Sequence, residues 1–193
     1  MSVTVQSIEN STVSLSKRMI LWIFIITIVM LFGAWTSAYI VSKAEGRWME
    51  FPMPNMMFFS TLALLASSLP MHLAYKSAKE NNLERIKIML FLTLFLAVVF
   101  IVLQLESFKE LISNQIYFTG KQSNVSSQYL YSLTFFHALH IVAGIVFLLT
   151  TLYKSIVKKI HSGNTLTIEL CATFWHFLDG LWLFLYIFLY FNR

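Results

Sequence analysis

The sequence has few charged residues, a single cysteine, three prolines and six glycines. Only 12% of its 193 residues are charged while 58% are hydrophobic, a balance that excludes an ordinary soluble domain. The lone Cys171 excludes a disulfide within the chain. The scarcity of proline and glycine favours continuous helices over a turn-rich barrel. Long apolar runs, which are abundant here, are typical of membrane spans.

These runs predict an all-α polytopic membrane protein, a bundle of five transmembrane helices. We place the helices at about 19–41, 55–75, 88–108, 129–153 and 166–191. Residues 1–18 are polar, and we expect a mobile cytoplasmic tail there, followed by one membrane domain at 19–193. The first run is too long for the apolar part of a signal peptide, about 7–15 residues, so we expect an uncleaved helix.

The basic residues indicate topology rather than a nucleic-acid partner, although the net charge is +5. Nine cations fall in the tail and in the second and fourth loops: Lys17, Arg18, Lys76, Lys79, Arg85, Lys87, Lys154, Lys158 and Lys159. Five fall on the opposite side: Lys43, Arg47, Lys109, Lys121 and Arg193. The positive-inside rule therefore predicts a cytoplasmic N-terminus and an outer C-terminus. Beyond topology, Lys154 and Lys158 are candidates for contact with lipid headgroups.

Several ionisable side chains lie within the spans or at their ends. Because polar side chains in lipid face the bundle interior and pair, we predict that they form a structural polar network. Within it, we expect one or both of His137 and His140 to pair with a carboxylate among Glu106, Glu169 and Asp179. The members are Glu106, His137, His140, Glu169, His176 and Asp179.

The last helix carries the most informative pattern. Trp175, Asp179 and Trp182 fall at i, i+4 and i+7, so they share one face, and the two tryptophans form an aromatic packing face around the acid. A structural clamp between helices and a proton or ligand site both fit this pattern.

Histidines within spans also raise the question of haem or metal binding. His137 and His140 share one helix, so they cannot hold a single haem from opposite sides. A copper or zinc site built from this pair and a carboxylate remains an alternative, as does packing alone. A transporter is a further alternative, but five spans do not divide into two equal repeats.

The last helix also carries a family resemblance. Its segment FWHFLDGLWLFL, residues 174–185, resembles the terminal helix of subunit III of haem-copper oxidases. Residues 134–144 resemble that family's Thr-Gly-Phe-His-Gly-Leu-His helix, with Phe135 and Ala138 in place of the glycines. Glu169 and Lys154 stand where the family has Glu and often Arg. With five helices rather than seven, the chain resembles the short bacterial form.

Two positions depart from the family pattern. Ile28 stands where members often carry a glutamate in the helix matching the first one here. Glu106 lies one place early relative to the family's Gln-x-x-Glu-aromatic segment.

The resemblance implies an accessory subunit without an active site of its own. It would pack against oxidase subunit I, act with subunit II and the other oxidase subunits, hold phospholipids, and support proton uptake during oxygen reduction. No catalytic, cofactor or metal residue is expected in this chain, and haem and copper are expected in partner subunits. A bacterial inner-membrane location and membership of a larger respiratory supercomplex would follow. Cytochrome c and quinol both remain open as electron donors.

Overall fold

The computed structural model describes residues 2–46, 48, 53–120, 124–157 and 165–192, with side chains from residue 12 onward. The described chain is helical, and its five helices are each long and apolar enough to cross a membrane. They are α1 (Ser2–Ala44), α2 (Asn55–Lys79), α3 (Leu83–Ser113), α4 (Val125–Ile156) and α5 (Leu166–Asn192). The predicted fold class, an all-α protein with five membrane spans, is confirmed.

The helices extend beyond the predicted apolar runs. The largest difference is in α1, which begins at Ser2 rather than at Met19. No proline or glycine precedes Gly33, so backbone hydrogen bonding continues although the side chains become polar. The mobility and the cytoplasmic location of residues 1–18 stay predictions.

Three helices end next to residues in the left-handed region of backbone conformation. Gly46 follows α1 with φ of 80°, Asn81 follows α2 with φ of 57°, and Gln115 follows α3 with φ of 61°. Glycine and asparagine are the residues that adopt this conformation most readily at helix ends. The helix ends therefore depend on these residues and not on where hydropathy falls.

Four helices, α2 to α5, form the bundle, and α1 packs outside it against α4 and α5. The most extensive contact joins α2 and α3. The centre is filled by large rings, with Phe100, Trp175 and Trp182 nearly inaccessible. Phe32 of α1 is equally buried where α1 meets α4.

Contacts at both ends fix α1 to α5. At one end, the Arg18 guanidinium makes a two-pronged ion pair with Glu169, at 2.7 and 3.0 Å. At the other, Lys43 Nζ and the Tyr39 hydroxyl donate to the carbonyl of Asn192 at 2.7 and 3.0 Å. The N-terminal ends of α1 and α5 are in contact, and so are their C-terminal ends, so the two helices run parallel. This agrees with five membrane crossings, because the first and fifth spans of one chain cross in the same direction.

Candidate functional site

Side-chain hydrogen bonds join the buried face of α5 to α2. Trp175 Nε1 donates to Ser67 Oγ at 2.9 Å, and Trp182 Nε1 donates to Thr61 Oγ1 at 3.0 Å. Between them, the Ser68 hydroxyl donates to Asp179 Oδ2. The structure thus places Trp175, Asp179 and Trp182 on one buried face of α5. We call this set the α2–α5 polar interface: Thr61, Ser67, Ser68, Trp175, Asp179 and Trp182.

Ser68 is shared between Asp179 and His176. Its hydroxyl hydrogen goes to the carboxylate, while its oxygen lies 3.1 Å from His176 Nδ1. The geometry is satisfied when His176 carries a hydrogen on Nδ1 and donates it to Ser68. Asp179 is only 3% exposed, and its second oxygen has no partner among the described residues.

His137 lies at the centre of the bundle without a carboxylate beside it. Its ring stacks on Trp182 at a centroid distance of 4.8 Å and meets Phe100 edge-on at 6.1 Å. Both of its ring nitrogens lack a hydrogen-bond partner among the described residues. The predicted pairing of His137 with an acid therefore does not form.

His140 faces α1 instead of the centre. Its Nδ1 lies 2.6 Å from the carbonyl oxygen of Phe136, one turn earlier in α4. Its ring packs against Phe32 and Phe24 at 5.7 and 6.5 Å. His140 is thus held by its own helix and by aromatic contact, and its predicted pairing with a carboxylate does not form either.

The two glutamates of the predicted network lie at the surface. Glu106 is half-exposed and pairs with Lys109 at 2.6 Å, while Glu169 pairs with Arg18. The six residues therefore occupy separate places, and only His176 and Asp179 meet, through Ser68. The two glutamates lie apart from the histidines because they are close to the helix ends, at a shallower depth in the membrane. Glutamates near helix ends reach aqueous or basic partners, so they need no buried histidine.

The predicted lipid-contacting lysines can be placed in part. Lys154 is exposed at the end of α4, and its Nζ lies 3.4 Å from Thr167 Oγ1 of α5. With Lys17 it borders a groove of about 420 Å³ between α1, α4 and α5, otherwise lined mainly by apolar side chains such as Phe24 and Phe174. Lys158 lies outside the described residues.

Other contacts that shape the site were not expected from the sequence. Ser60 Oγ donates to Gln104 Oε1 at 2.9 Å, which ties α2 to α3. Gly144 lies where α4 approaches α5, because a Cβ there would be 3.0 Å from Leu178 and 3.3 Å from Trp175. The sequence did contain a signal for the contact between Ser60 and Gln104. Small hydroxyl residues recur about two turns apart along α2, at Ser60, Thr61, Ser67 and Ser68, but the sequence does not indicate which helix they face.

Within the part of the chain that the structure describes, no group of three or more His, Cys, Asp and Glu side chains is placed to hold a metal ion. What the arrangement does chemically is hold helices together through buried hydrogen bonds.

Comparisons with known proteins agree with the residue patterns. The profile of the family described as cytochrome c oxidase subunit III matches residues 1–193. The chain belongs to this family. Among similar curated proteins, cytochrome bo(3) ubiquinol oxidase subunit 3 of Buchnera aphidicola subsp. Schizaphis graminum is 27% identical over 95% of this chain and 97% of its own length. Cytochrome c oxidase subunit 3 of Drosophila melanogaster is 29% identical over 97% of this chain and 73% of its own length. Cytochrome c oxidase subunit 3 of Neotragus moschatus is 30% identical over 97% of this chain and 74% of its own length.

Membership in the cytochrome c oxidase subunit III family, together with five spanning helices, makes the chain an integral membrane protein and part of an oxidase complex. It also confirms the resemblance drawn from residues 134–144 and 174–185.

Proposed function

We propose that this chain is the non-catalytic subunit III of a respiratory haem-copper terminal oxidase in the bacterial cytoplasmic membrane. In this role it packs directly against subunit I and stabilises it. The observation that carries the proposal is the family match over residues 1–193. A stand-alone transporter has no comparable support.

The proposal includes the placement of haem and copper in partner subunits. The histidines of α4 support it, because each is already engaged in the packing of this chain: His137 is enclosed by Phe100 and Trp182, and His140 is turned to its own backbone and to α1. An axial haem ligand needs a ring nitrogen directed at an open porphyrin site.

Lipid binding is the second part of the proposal, and the groove between α1, α4 and α5 supports it. Lys17 and Lys154 supply two cations for an anionic headgroup, and the apolar lining below them suits an acyl chain. Both lysines lie on the side that the positive-inside rule assigns to the cytoplasm. Support of proton uptake at that surface is the third part, which the family resemblance implies.

Co-purification tests the central proposal. A tagged chain, extracted in mild detergent from respiring membranes, should bring haem-bearing subunits with it in fixed stoichiometry. The chain purified alone should show no Soret absorbance band. A chain that comes out of the membrane alone contradicts the subunit assignment, and a stoichiometric Soret band that is lost in His176→Ala contradicts the placement of haem.

A quinol oxidase of the same superfamily is the second candidate complex. The observation that supports it is the alignment with the Buchnera ubiquinol oxidase subunit, which includes 95% of this chain and 97% of that protein. Oxygen consumption by the purified complex, with a quinol in one assay and reduced cytochrome c in the other, distinguishes the two.

A further inference from the structure

We propose that the outer α2–α5 face, formed by His72, His176 and Gly180, binds one transmembrane helix of a partner subunit. That helix presents a hydrogen-bonding side chain, a carboxyl, hydroxyl or amide, to the two imidazoles. The inference rests on the proposed function, since it names the place where this chain meets the rest of an oxidase complex.

Two histidines meet on this face. The rings of His72 in α2 and His176 in α5 have centroids 6.2 Å apart, with His72 exposed and His176 half-buried. Among the described residues, His72 has no hydrogen-bond partner, and His176 uses only Nδ1, on Ser68. Three of the four ring nitrogens therefore remain open to a partner from outside the chain.

The depth of His176 favours a protein neighbour over bare lipid. His176 lies seven residues beyond Glu169, or about 10 Å along the helix at 1.5 Å per residue. Glu169 itself marks the level of the ion pair with Arg18 at the helix end. A polar group without a hydrogen bond is costly in hydrocarbon, and such side chains in spans face protein or water.

Gly180 gives the approaching helix room. It lies one turn beyond His176 on the same side of α5, is exposed, and has no atom within 4 Å of the position a Cβ would take. Small residues allow two helix backbones to come close in a membrane. The glycine alone would not mark a contact; its position beside two open imidazoles does.

Other outward surfaces of the bundle differ from this face. The exposed positions of α3 carry apolar side chains such as Phe91, Phe95 and Val98, and those of α4 carry Val142 and Val146. These apolar side chains are stable in contact with lipid and require no hydrogen-bond partner. The face between α2 and α5 also carries exposed apolar side chains such as Leu69, but its two open imidazoles match a protein neighbour.

Spin labelling in the assembled complex tests the inference. The label is attached at Leu69→Cys, an exposed position one turn before His72 in α2, so that Gly180 stays free for the partner helix. The native Cys171 is buried and out of reach of the reagent. We expect oxygen to relax the label strongly in the isolated subunit and only weakly in the complex. Val146→Cys, on the apolar surface of α4, should relax strongly in both. Equal relaxation at positions 69 and 146 in the complex overturns the inference.

A matched pair of bulky substitutions gives a second readout. Gly180→Leu should lower the haem recovered with the tagged chain about tenfold, a change of about 1.4 kcal/mol. Gly33→Leu, at an exposed glycine of α1 that also has open space, should leave recovery unchanged. If wild type recovers haem and Gly180→Leu recovers as much, the face is not the docking site although the proposed function stands. If wild type itself recovers none, the proposed function fails.

Discussion

Trp182 of α5 donates its indole N–H to the hydroxyl of Thr61 in α2 at 3.0 Å, and both side chains are buried. Two turns away, Trp175 does the same with Ser67 at 2.9 Å. In lipid, apolar burial gives little drive for helices to associate, because lipid tails are as apolar as the helix surface. The two indole–hydroxyl bonds therefore fix how far α5 is shifted along α2.

A double-mutant cycle measures the first of these bonds. Trp182→Phe keeps most of the ring but removes the donor, and Thr61→Val keeps the shape but removes the acceptor. We expect Thr61→Val to lower the free energy of unfolding by about 1 kcal/mol, and Trp182→Phe to lower it by more because the smaller ring also leaves a cavity. The loss in the double variant should fall short of the sum of the two single losses by about 1 kcal/mol. The unfolding midpoints are measured by heating each variant in detergent. Unfolding is monitored by the reaction of Cys171, which is buried in the folded protein, with a fluorescent maleimide. Full additivity would show that the two groups do not interact in solution.

Asp179 is predicted to act as a clamp through Ser68. Asp179→Asn leaves an oxygen that can accept the Ser68 hydroxyl, so we expect a small change in stability. Asp179→Ala leaves Ser68 without that acceptor, and we expect a loss of about 1–3 kcal/mol. The same Cys171 assay measures both, with exposed Phe91→Ala as the control. An Asn variant as unstable as the Ala variant would mean that the charge itself is required.

Gly144 is predicted to set the distance between α4 and α5. Gly144→Leu would drive a side chain into Leu178 and Trp175, which a Cβ alone already approaches at 3.0 and 3.3 Å. We expect a loss of about 1–3 kcal/mol from overpacking. Gly33→Leu adds the same atoms in open space and should change the unfolding midpoint little. Equal midpoints for the two variants would contradict the close approach.

A hydrophobic carbodiimide, which modifies protonated carboxyl groups reachable from lipid, should leave α1 unlabelled between Met19 and Val41. This stretch contains no acid, and Ile28, at the family's glutamate position, is buried. Asp179 is enclosed between α2 and α5, so we expect only weak labelling of the chain as a whole. Peptide mapping gives the answer, with Ile26→Glu on the exposed side of α1 as the positive control. Strong labelling of Asp179 would indicate proton handling rather than a clamp.

Anionic phospholipid should be lost when the groove lysines are removed. At about 1 kcal/mol for each cation near the membrane surface, Lys17→Ala and Lys154→Ala should each weaken retention about fivefold. Lys87→Ala is the matched control, because Lys87 lies on the same predicted side but pairs with Glu84 and does not line the groove. Native mass spectrometry counts the lipids retained. Equal retention in all variants would leave the lysines with a role in topology alone.

Helix number and class followed from the sequence because each apolar run must satisfy its own backbone inside lipid, and a helix does this without help from other segments. The positions of the helix ends did not follow from the sequence, since they depend on single residues such as Asn81 and Gln115 in the left-handed region. The shared face of Trp175, Asp179 and Trp182 also followed, because helical period is a local property.

Which groups meet across helices was decided only by the tertiary structure. The sequence placed His137 and Asp179 within spans and predicted that acids and histidines would pair, but nothing local to α4 or α5 fixes their relative rotation. In the structure, Asp179 accepts a hydrogen bond from Ser68, and His137 stacks on Trp182. Glu169 forms an ion pair with Arg18. Such pairs join residues far apart in the chain, and their partners are chosen by how whole helix faces pack. The sequence by itself therefore determined the spans, the family and the faces, whereas the contacts between faces required the assembled bundle.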